Sequence, residues 1–103
     1  MEFIEAPAFT RYVYHYLSED VYVGLQGFLI KDPVSGMVVP GSGGVRKLRW
    51  ALAGRGKRGG VRVIYYYKNQ EDEIWLLTIY SKTEVANIPP HVLRQIAKEI
   101  EDV

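Results

Sequence analysis

The sequence predicts an α+β fold, with a small, antiparallel-rich sheet of three to four strands, two N-terminal helices and one C-terminal helix. Three observations support this prediction. Residues 45–80 carry the residue types and the alternation of strands. The chain before them, and the chain that follows Pro89 and Pro90, space their apolar residues three and four apart, as helices do. At 103 residues the chain is long enough for one core, so we expect a single domain over residues 1–103.

The N-terminal third is predicted to hold a short edge strand and two helices. Residues 3–5 are apolar enough for the strand, and Pro7 ends it because proline fixes its own φ and lacks an N–H donor. Residues 8–16 have the apolar spacing of a short helix. Ser18 is a suitable N-cap for a second helix, which residues 31–33 end.

The central block is predicted to form three strands, at residues 45–52, 61–67 and 74–80. Residues 34–44 before it hold four glycines and a proline, so we interpret them as an ordered loop. Residues 69–72 have the composition of a turn between the second and third strands. The third strand is apolar at nearly every position, which is typical of a strand in the middle of a sheet.

The first strand has one apolar and one cationic face. Successive side chains of a strand point to opposite faces, so Leu48, Trp50 and Leu52 share one face. Lys47 and Arg49 share the other. We therefore expect a sheet with one face covered by helices and one face that is open and cationic.

The charges of the chain are strongly polarised, although its formal net charge is only +1. Residues 33–70 contain no Asp or Glu, yet eight of the thirteen Lys and Arg residues fall there. They are Arg46, Lys47, Arg49, Arg55, Lys57, Arg58, Arg62 and Lys68. A polyanion such as RNA would therefore meet a local charge far higher than the net charge indicates.

The composition also excludes several kinds of site. The chain has no cysteine, which removes disulfides, thiolate metal sites and cysteine nucleophiles. Its two histidines are far apart in sequence, so a histidine-rich metal site is not expected. The first residues lack the apolar stretch of a signal peptide, and no run of about 18 apolar residues occurs. We therefore expect a cytosolic protein.

The candidate site comprises cations from two predicted strands. Lys47 and Arg49 could bind a phosphate backbone and stabilise the charge that develops in phosphoryl transfer. Exposed strand cations can also merely protect a sheet edge from pairing. Arg62 on a second strand favours the binding hypothesis, because the mutual repulsion of three cations must be offset, and an anionic ligand is the simplest way to do so.

Further residues could contact RNA around this site. Residues 54–60 form a glycine-rich basic loop that could reach into RNA, or that could be only a soluble hairpin connection. Tyr66 shares a predicted face with Arg62, where it could stack on a base, whereas most strand tyrosines belong to a core. The predicted RNA-binding or ribosome-binding residues are Arg46, Arg55, Lys57, Arg58 and Tyr66.

The third strand adds two candidates by its alternation. We expect Thr78, Tyr80 and Lys82 on the open face, and Trp75, Leu77 and Ile79 on the opposite face. Tyr80 and Lys82 therefore join the candidate site. The alternative is that both are simply solvated at the end of a strand.

Four segments of the sequence resemble the RelE/ParE toxin superfamily, close to its HigB-like branch. They are PGSGGVRK at 40–47, GRGKRGG at 54–60, RVIYY at 62–66 and LTIYSK at 77–82. The resemblance implies a RelE-like fold and the toxin of a type II toxin-antitoxin pair. Such a toxin enters the ribosomal A site, contacts 16S rRNA and cleaves mRNA there, and a cognate antitoxin protein is its partner. The superfamily also includes gyrase poisons, so a toxin that blocks gyrase and a non-catalytic RNA-binding module remain alternatives.

The resemblance assigns catalytic roles by position. The alternate-position cations of the first strand match Lys47 and Arg49, the arginine that opens the second strand matches Arg62, and the basic residue after the third strand matches Lys82. The tyrosine that some relatives place before the last helix has no counterpart here, so Tyr80 would have to serve.

The residues available restrict the chemistry of this site to cationic and phenolic groups, with no cofactor and no metal. Crowding by other cations favours loss of a proton from a lysine, which makes Lys47 or Lys82 a candidate proton carrier. Arg49 and Arg62 would supply electrostatic stabilisation, and the ribosome would supply the alignment of the message.

Overall fold

The computed structural model describes residues 1–52, 60–81 and 88–103. Its helices are α1 (Pro7–Tyr16), α2 (Glu19–Lys31) and α3 (Pro90–Glu101). Its strands are β1 (Glu2–Glu5), β2 (Met37–Val38), β3 (Arg46–Trp50), β4 (Val61–Lys68) and β5 (Glu73–Ser81), with a turn of 3-10 helix at Asn69–Glu71 between the last two. No helix in these three ranges is long and apolar enough to span a membrane.

The strands form one five-stranded sheet in the order β1-β5-β4-β3-β2. β1 is parallel to β5, and the other neighbours are antiparallel. The predicted α+β fold and its three helices are confirmed, and β5 lies inside the sheet with a strand on each side, as its apolar sequence indicated. The sheet has more strands than predicted because residues 37 and 38, which we interpreted as loop, pair with β3.

The helices begin and end where the sequence signals place them. Pro7 occupies the first turn of α1, where its missing N–H is not needed. The Ser18 hydroxyl accepts a hydrogen bond from the Val21 backbone N–H at 3.2 Å and so caps α2. Glu5 then ties these elements together, because its carboxylate accepts hydrogen bonds from Thr10 in α1 and from Tyr22 in α2.

Both faces of the sheet carry a hydrophobic core, so the prediction of one open face was wrong. α1 and α2 pack on one face, around Phe9, Leu25 and Tyr65. α3 packs on the other face through Leu93, Ala97 and Ile100, against Val45, Ile64 and Leu77. Apolar side chains on the second face need cover from water, and α3 supplies it. We call this second face the α3 face.

The alternation of β5 is broken by a β-bulge. Opposite Ile64 and Tyr65, which are consecutive, β5 places Thr78 and Leu76, so Leu77 is the extra residue. Trp75 and Leu77 therefore pack on the α3 face together with Tyr80, contrary to the prediction, whereas Ile79 packs on the opposite face as predicted.

Lys68 belongs to the fold rather than to the cationic surface. It ends β4 and is only 6% exposed. Its ammonium Nζ donates hydrogen bonds to the backbone carbonyls of Ile100 and Val103, both at 3.0 Å. A cation at this position complements the negative end of the α3 dipole and adds a donor to the Ile100 carbonyl, which also accepts a 3.3 Å hydrogen bond from the Val103 backbone N–H.

Replacing Lys68 with methionine should lower the free energy of unfolding by about 1–3 kcal/mol, because it removes the buried ammonium that donates to the Ile100 and Val103 carbonyls at the C-terminal end of α3. Urea unfolding of both proteins measures the difference. The control is Lys98→Met, since Lys98 is exposed on α3. Equal stability of the Lys68 and Lys98 variants would contradict the capping role.

Candidate active site

Four predicted site residues lie together on the α3 face of the sheet. Arg49 in β3 lies directly opposite Arg62 in β4, and Arg62 lies directly opposite Tyr80 in β5. Lys47 lies two positions before Arg49 and so points to the same face. Neighbouring strands are about 5 Å apart, and alternate residues of one strand are about 7 Å apart. One phosphate group can therefore be reached from all three strands. We call Lys47, Arg49, Arg62 and Tyr80 the cationic site.

The cations of this site are not neutralised by the described part of the chain. Within it, no carboxylate lies within ion-pair distance of Lys47, Arg49 or Arg62. Lys47 and Arg49 are exposed. The same ranges contain no group of three His, Asp or Glu side chains placed to bind a metal ion. The site therefore presents positive charge to an anionic ligand.

Arg62 is the buried member of the cationic site, with 7% of its side chain exposed. Its hydrogen bond among the described residues is a long one, 3.5 Å from Nη1 to the carbonyl of Val61. A buried guanidinium carries five donors and keeps its charge, so it is costly unless acceptors surround it. A phosphate bound at this position would supply such acceptors.

Tyr80 is half-buried and lies directly opposite Arg62 in the neighbouring strand. Burial raises the pKa of its phenol above the usual 10, and the positive charge of Arg62 opposes this shift only in part. The Tyr80 hydroxyl therefore keeps its proton at neutral pH. This property suits an acid that protonates a leaving oxygen, and it does not suit a base.

Gly60 permits the close approach of the two arginine-bearing strands. A Cβ atom at this position would lie 2.5 Å from the carbonyl oxygen of Trp50, which is a backbone atom and cannot move independently. Arg49, Trp50, Ala51, Gly60 and Arg62 line a shallow pocket of about 210 Å³. The glycine thus sets the spacing of β3 and β4 where the arginines meet.

A second pocket, of about 280 Å³, lies between the sheet and the first turn of α3. Its apolar walls are Val39, Ile64, Ile88, Pro90 and Leu93, and its polar groups are Lys47 and Tyr80. This pocket was not predicted from the sequence. The Pro89-Pro90 start of α3 was visible in the sequence, but only the packing of α3 shows that this start faces Lys47.

Arg46 does not join the cationic site. Arg46 pairs in register with Tyr65, which lies on the face covered by α1 and α2. Arg46 therefore lies on that face, whereas Lys47 lies on the α3 face. The guanidinium Nη1 donates hydrogen bonds to the carbonyls of Val34 at 3.1 Å and Gly36 at 2.8 Å. Arg46 therefore fastens the chain after α2 to the sheet, and the structure does not support the predicted RNA contact.

Tyr66 lies on the same face as Arg62, as predicted, but it packs beneath α3. Its hydroxyl donates a 2.6 Å hydrogen bond to the carboxylate of Glu101. The structure therefore does not support the predicted stacking on a base. Burial and this bond raise the pKa of Tyr66 to about 12.

Tyr66 should make the protein lose stability between pH 10 and pH 12. In this range the unfolded chain releases the phenolic proton, at its ordinary pKa of 10, while the folded protein keeps it. Stability is then fully present below pH 10 and falls as the pH rises through the folded pKa. Tyr66→Phe should remove this part of the loss in urea unfolding, whereas Tyr12→Phe, an exposed position, should not. Parallel curves for wild type and Tyr66→Phe would contradict the assignment.

Four predicted residues lie outside the described residues. They are Arg55, Lys57, Arg58 and Lys82. Their roles in RNA binding and catalysis stay predictions.

Most of the chain, including the cationic site, matches a known protein family. The family model of the RelE toxin of the RelE/RelB toxin-antitoxin system matches residues 35–103. The match runs from the segment before β2 to the end of α3, and it includes the entire cationic site. It confirms the resemblance to RelE-type toxins, while the HigB-like branch stays a prediction. The chain therefore belongs to the RelE toxin family, and it is the toxin of a toxin-antitoxin system whose partner is an antitoxin.

Proposed function

We propose that this toxin is a ribosome-dependent endoribonuclease of the HigB-like branch, which cleaves mRNA in the ribosomal A site through its cationic site. The observation that carries the proposal is the convergence of Lys47, Arg49 and Arg62 on one face with no ion-paired carboxylate among the described residues. A nuclease that acts on RNA phosphates needs this concentration of cations. Its ribosomal substrate would place its action in the cytoplasm.

The chemistry starts with attack of an RNA 2′-hydroxyl oxygen on the adjacent phosphorus. A new P–O bond forms and the bond to the 5′-oxygen of the next nucleotide breaks, which leaves a 2′,3′-cyclic phosphate and a 5′-hydroxyl. The 2′-hydroxyl gives up one proton and the leaving oxygen gains one, so no other reactant is required. Negative charge grows on the phosphate oxygens in the transition state.

Each group of the cationic site has a role in this step. Arg62 and Arg49 hold the phosphate and stabilise its growing charge, because the donors of a guanidinium match the geometry of phosphate oxygens. Tyr80 protonates the leaving 5′-oxygen, since its phenol is neutral beside Arg62. Lys47 is exposed at the edge of the site and is the candidate carrier of the 2′-hydroxyl proton. Lys82 stays a second candidate for this role.

The ribosome supplies what the small site lacks. A single-stranded message is mobile, and the 2′-oxygen must lie in line with the leaving oxygen for attack. Contacts with 16S rRNA would position the toxin, and the A site would position the codon. We therefore expect the free protein to cleave naked RNA poorly.

A translation assay tests the proposal. A defined message is translated with and without the purified toxin, and the new 5′ ends are mapped and tested for a 5′-hydroxyl. Cuts in phase with codons, carrying 5′-hydroxyl ends, are expected. An intact message together with inhibited DNA supercoiling would instead identify a gyrase-blocking toxin. Protection of the message without cleavage or gyrase inhibition would identify a non-catalytic RNA-binding module.

A further inference from the structure

We propose that the pocket between the sheet and the first turn of α3 binds one unpaired nucleobase, next to the phosphate that the cationic site holds. This inference rests on the proposed function and extends it, because it assigns a position of sequence preference to the toxin. We call this cavity the base pocket. Its lining residues are Val39, Lys47, Ile64, Tyr80, Ile88, Pro90 and Leu93.

The shape and lining of the base pocket suit a single flat ring with polar edges. Small-molecule sites are mostly apolar, carry a few placed polar groups and begin at about 300 Å³. The base pocket, at about 280 Å³, has room for one ring system rather than for a length of peptide. Its five apolar walls can cover the ring, and Lys47 and Tyr80 can hydrogen bond with its edge.

The base pocket and the phosphate site share two residues. Lys47 and Tyr80 line the pocket and also belong to the cationic site. Tyr80 lies directly opposite Arg62 in the adjacent strand, so the buried guanidinium is one strand away from the pocket. An occupant must therefore carry an anion immediately beside an apolar ring. A nucleotide combines a ring and an anion within a single residue, whereas a protein partner would need an apolar side chain with an acidic one beside it to match.

Binding of uncleavable trinucleotides tests this assignment without relying on cleavage. The probes are a 2′-deoxy trinucleotide and the same trinucleotide with one abasic position, made for each position in turn. Affinities are measured by titration followed by NMR. For one position, loss of the base should weaken binding to the wild type about tenfold, since stacking and burial of a base contribute on this scale.

Filling the pocket should remove this preference while the phosphate contacts stay. Val39→Phe adds bulk to a pocket wall, and its backbone hydrogen bond to Val45 is retained. This variant should bind the intact and the abasic trinucleotide equally, with the affinity that the wild type has for the abasic one. The matched control is Val38→Phe, the same change at the exposed neighbouring position outside the pocket. Ile88→Phe repeats the test from the other wall if the first variant does not fold.

The outcomes separate this inference from the proposed function. Equal binding of intact and abasic probes by the wild type would overturn the base pocket, even where the translation assay shows codon-phased cuts. A preference that persists in folded Val39→Phe and Ile88→Phe would place the base elsewhere and would also overturn it. If the preference for the intact over the abasic trinucleotide is lost only in the pocket variants, the assignment of the base pocket is supported. This holds even where the message stays intact and the proposed nuclease activity fails.

Discussion

Replacing Arg62 with alanine should lower the rate of codon-phased mRNA cleavage about 100- to 1000-fold, the usual cost of removing one preorganised donor from a charged transition state. Arg62 is 7% exposed and lies between Arg49 and Tyr80, where it can contact the phosphate within a low-dielectric environment. The measurement is the rate at which new 5′ ends appear in the translation assay at saturating toxin.

A structural role of Arg62 must be separated from this catalytic role. Circular dichroism and urea unfolding should show a folded Arg62→Ala protein, because the guanidinium makes only one long hydrogen bond to the described chain. Lys68→Met is the matched control, since Lys68 is a buried cation of the same strand that caps α3. It should lose stability and still cleave at a temperature where it is folded. An unfolded Arg62→Ala protein, or one that cleaves normally, would contradict the assignment.

Replacing Tyr80 with phenylalanine should lower the cleavage rate about 100-fold, as expected for loss of a positioned general acid. The change removes only the hydroxyl, so packing beneath the first turn of α3 should persist. Because the pKa of Tyr80 is raised above 10, loss of its proton should reduce the wild-type rate only above pH 10. A fall in rate at lower pH would have to come from another group.

A substrate with a better leaving group distinguishes proton donation from mere positioning. In RNA with sulfur in place of the bridging 5′-oxygen, the leaving group is a thiolate, which needs no protonation. Tyr80→Phe should therefore cleave this RNA at nearly the wild-type rate. The control is Tyr67→Phe, which alters a tyrosine of β4 on the opposite face and should cleave both substrates normally. If the sulfur substrate does not rescue Tyr80→Phe, Tyr80 is not the acid.

The local pattern of the sequence was sufficient to predict most of the helices and strands. Proline and serine at helix starts, apolar spacing in the helices and alternation in β3 each depend on neighbours within a few residues. For this reason the prediction of Lys47 and Arg49 on one face and Leu48 on the other was correct. The family resemblance, which also rests on local strings, was correct at the level of RelE-type toxins.

The sequence was least informative where distant segments meet. The bulge at Leu77 shifts the alternation of β5 through its pairing with β4, and no property of the β5 segment alone reveals it. Tyr66 and Arg46 carry suitable chemistry for RNA, but Glu101 and the carbonyls after α2 engage them in the folded protein. Their partners lie 35 and 10 to 12 residues away, beyond the reach of a local pattern.

The sequence by itself determined the fold class, the polarity of β3 and the segregation of cations to the middle of the chain, because each is a property of residue order and short-range geometry. Only the tertiary structure decided which cations lie together. Pairing of β3, β4 and β5 places Arg49, Arg62 and Tyr80 in one row, and the packing of α3 buries Lys68 and forms the base pocket. The physical reason is that the charges and hydrogen-bond partners around a side chain come from segments far apart in sequence. Repulsion between like charges and the pairing of polar groups therefore depend on how these segments pack.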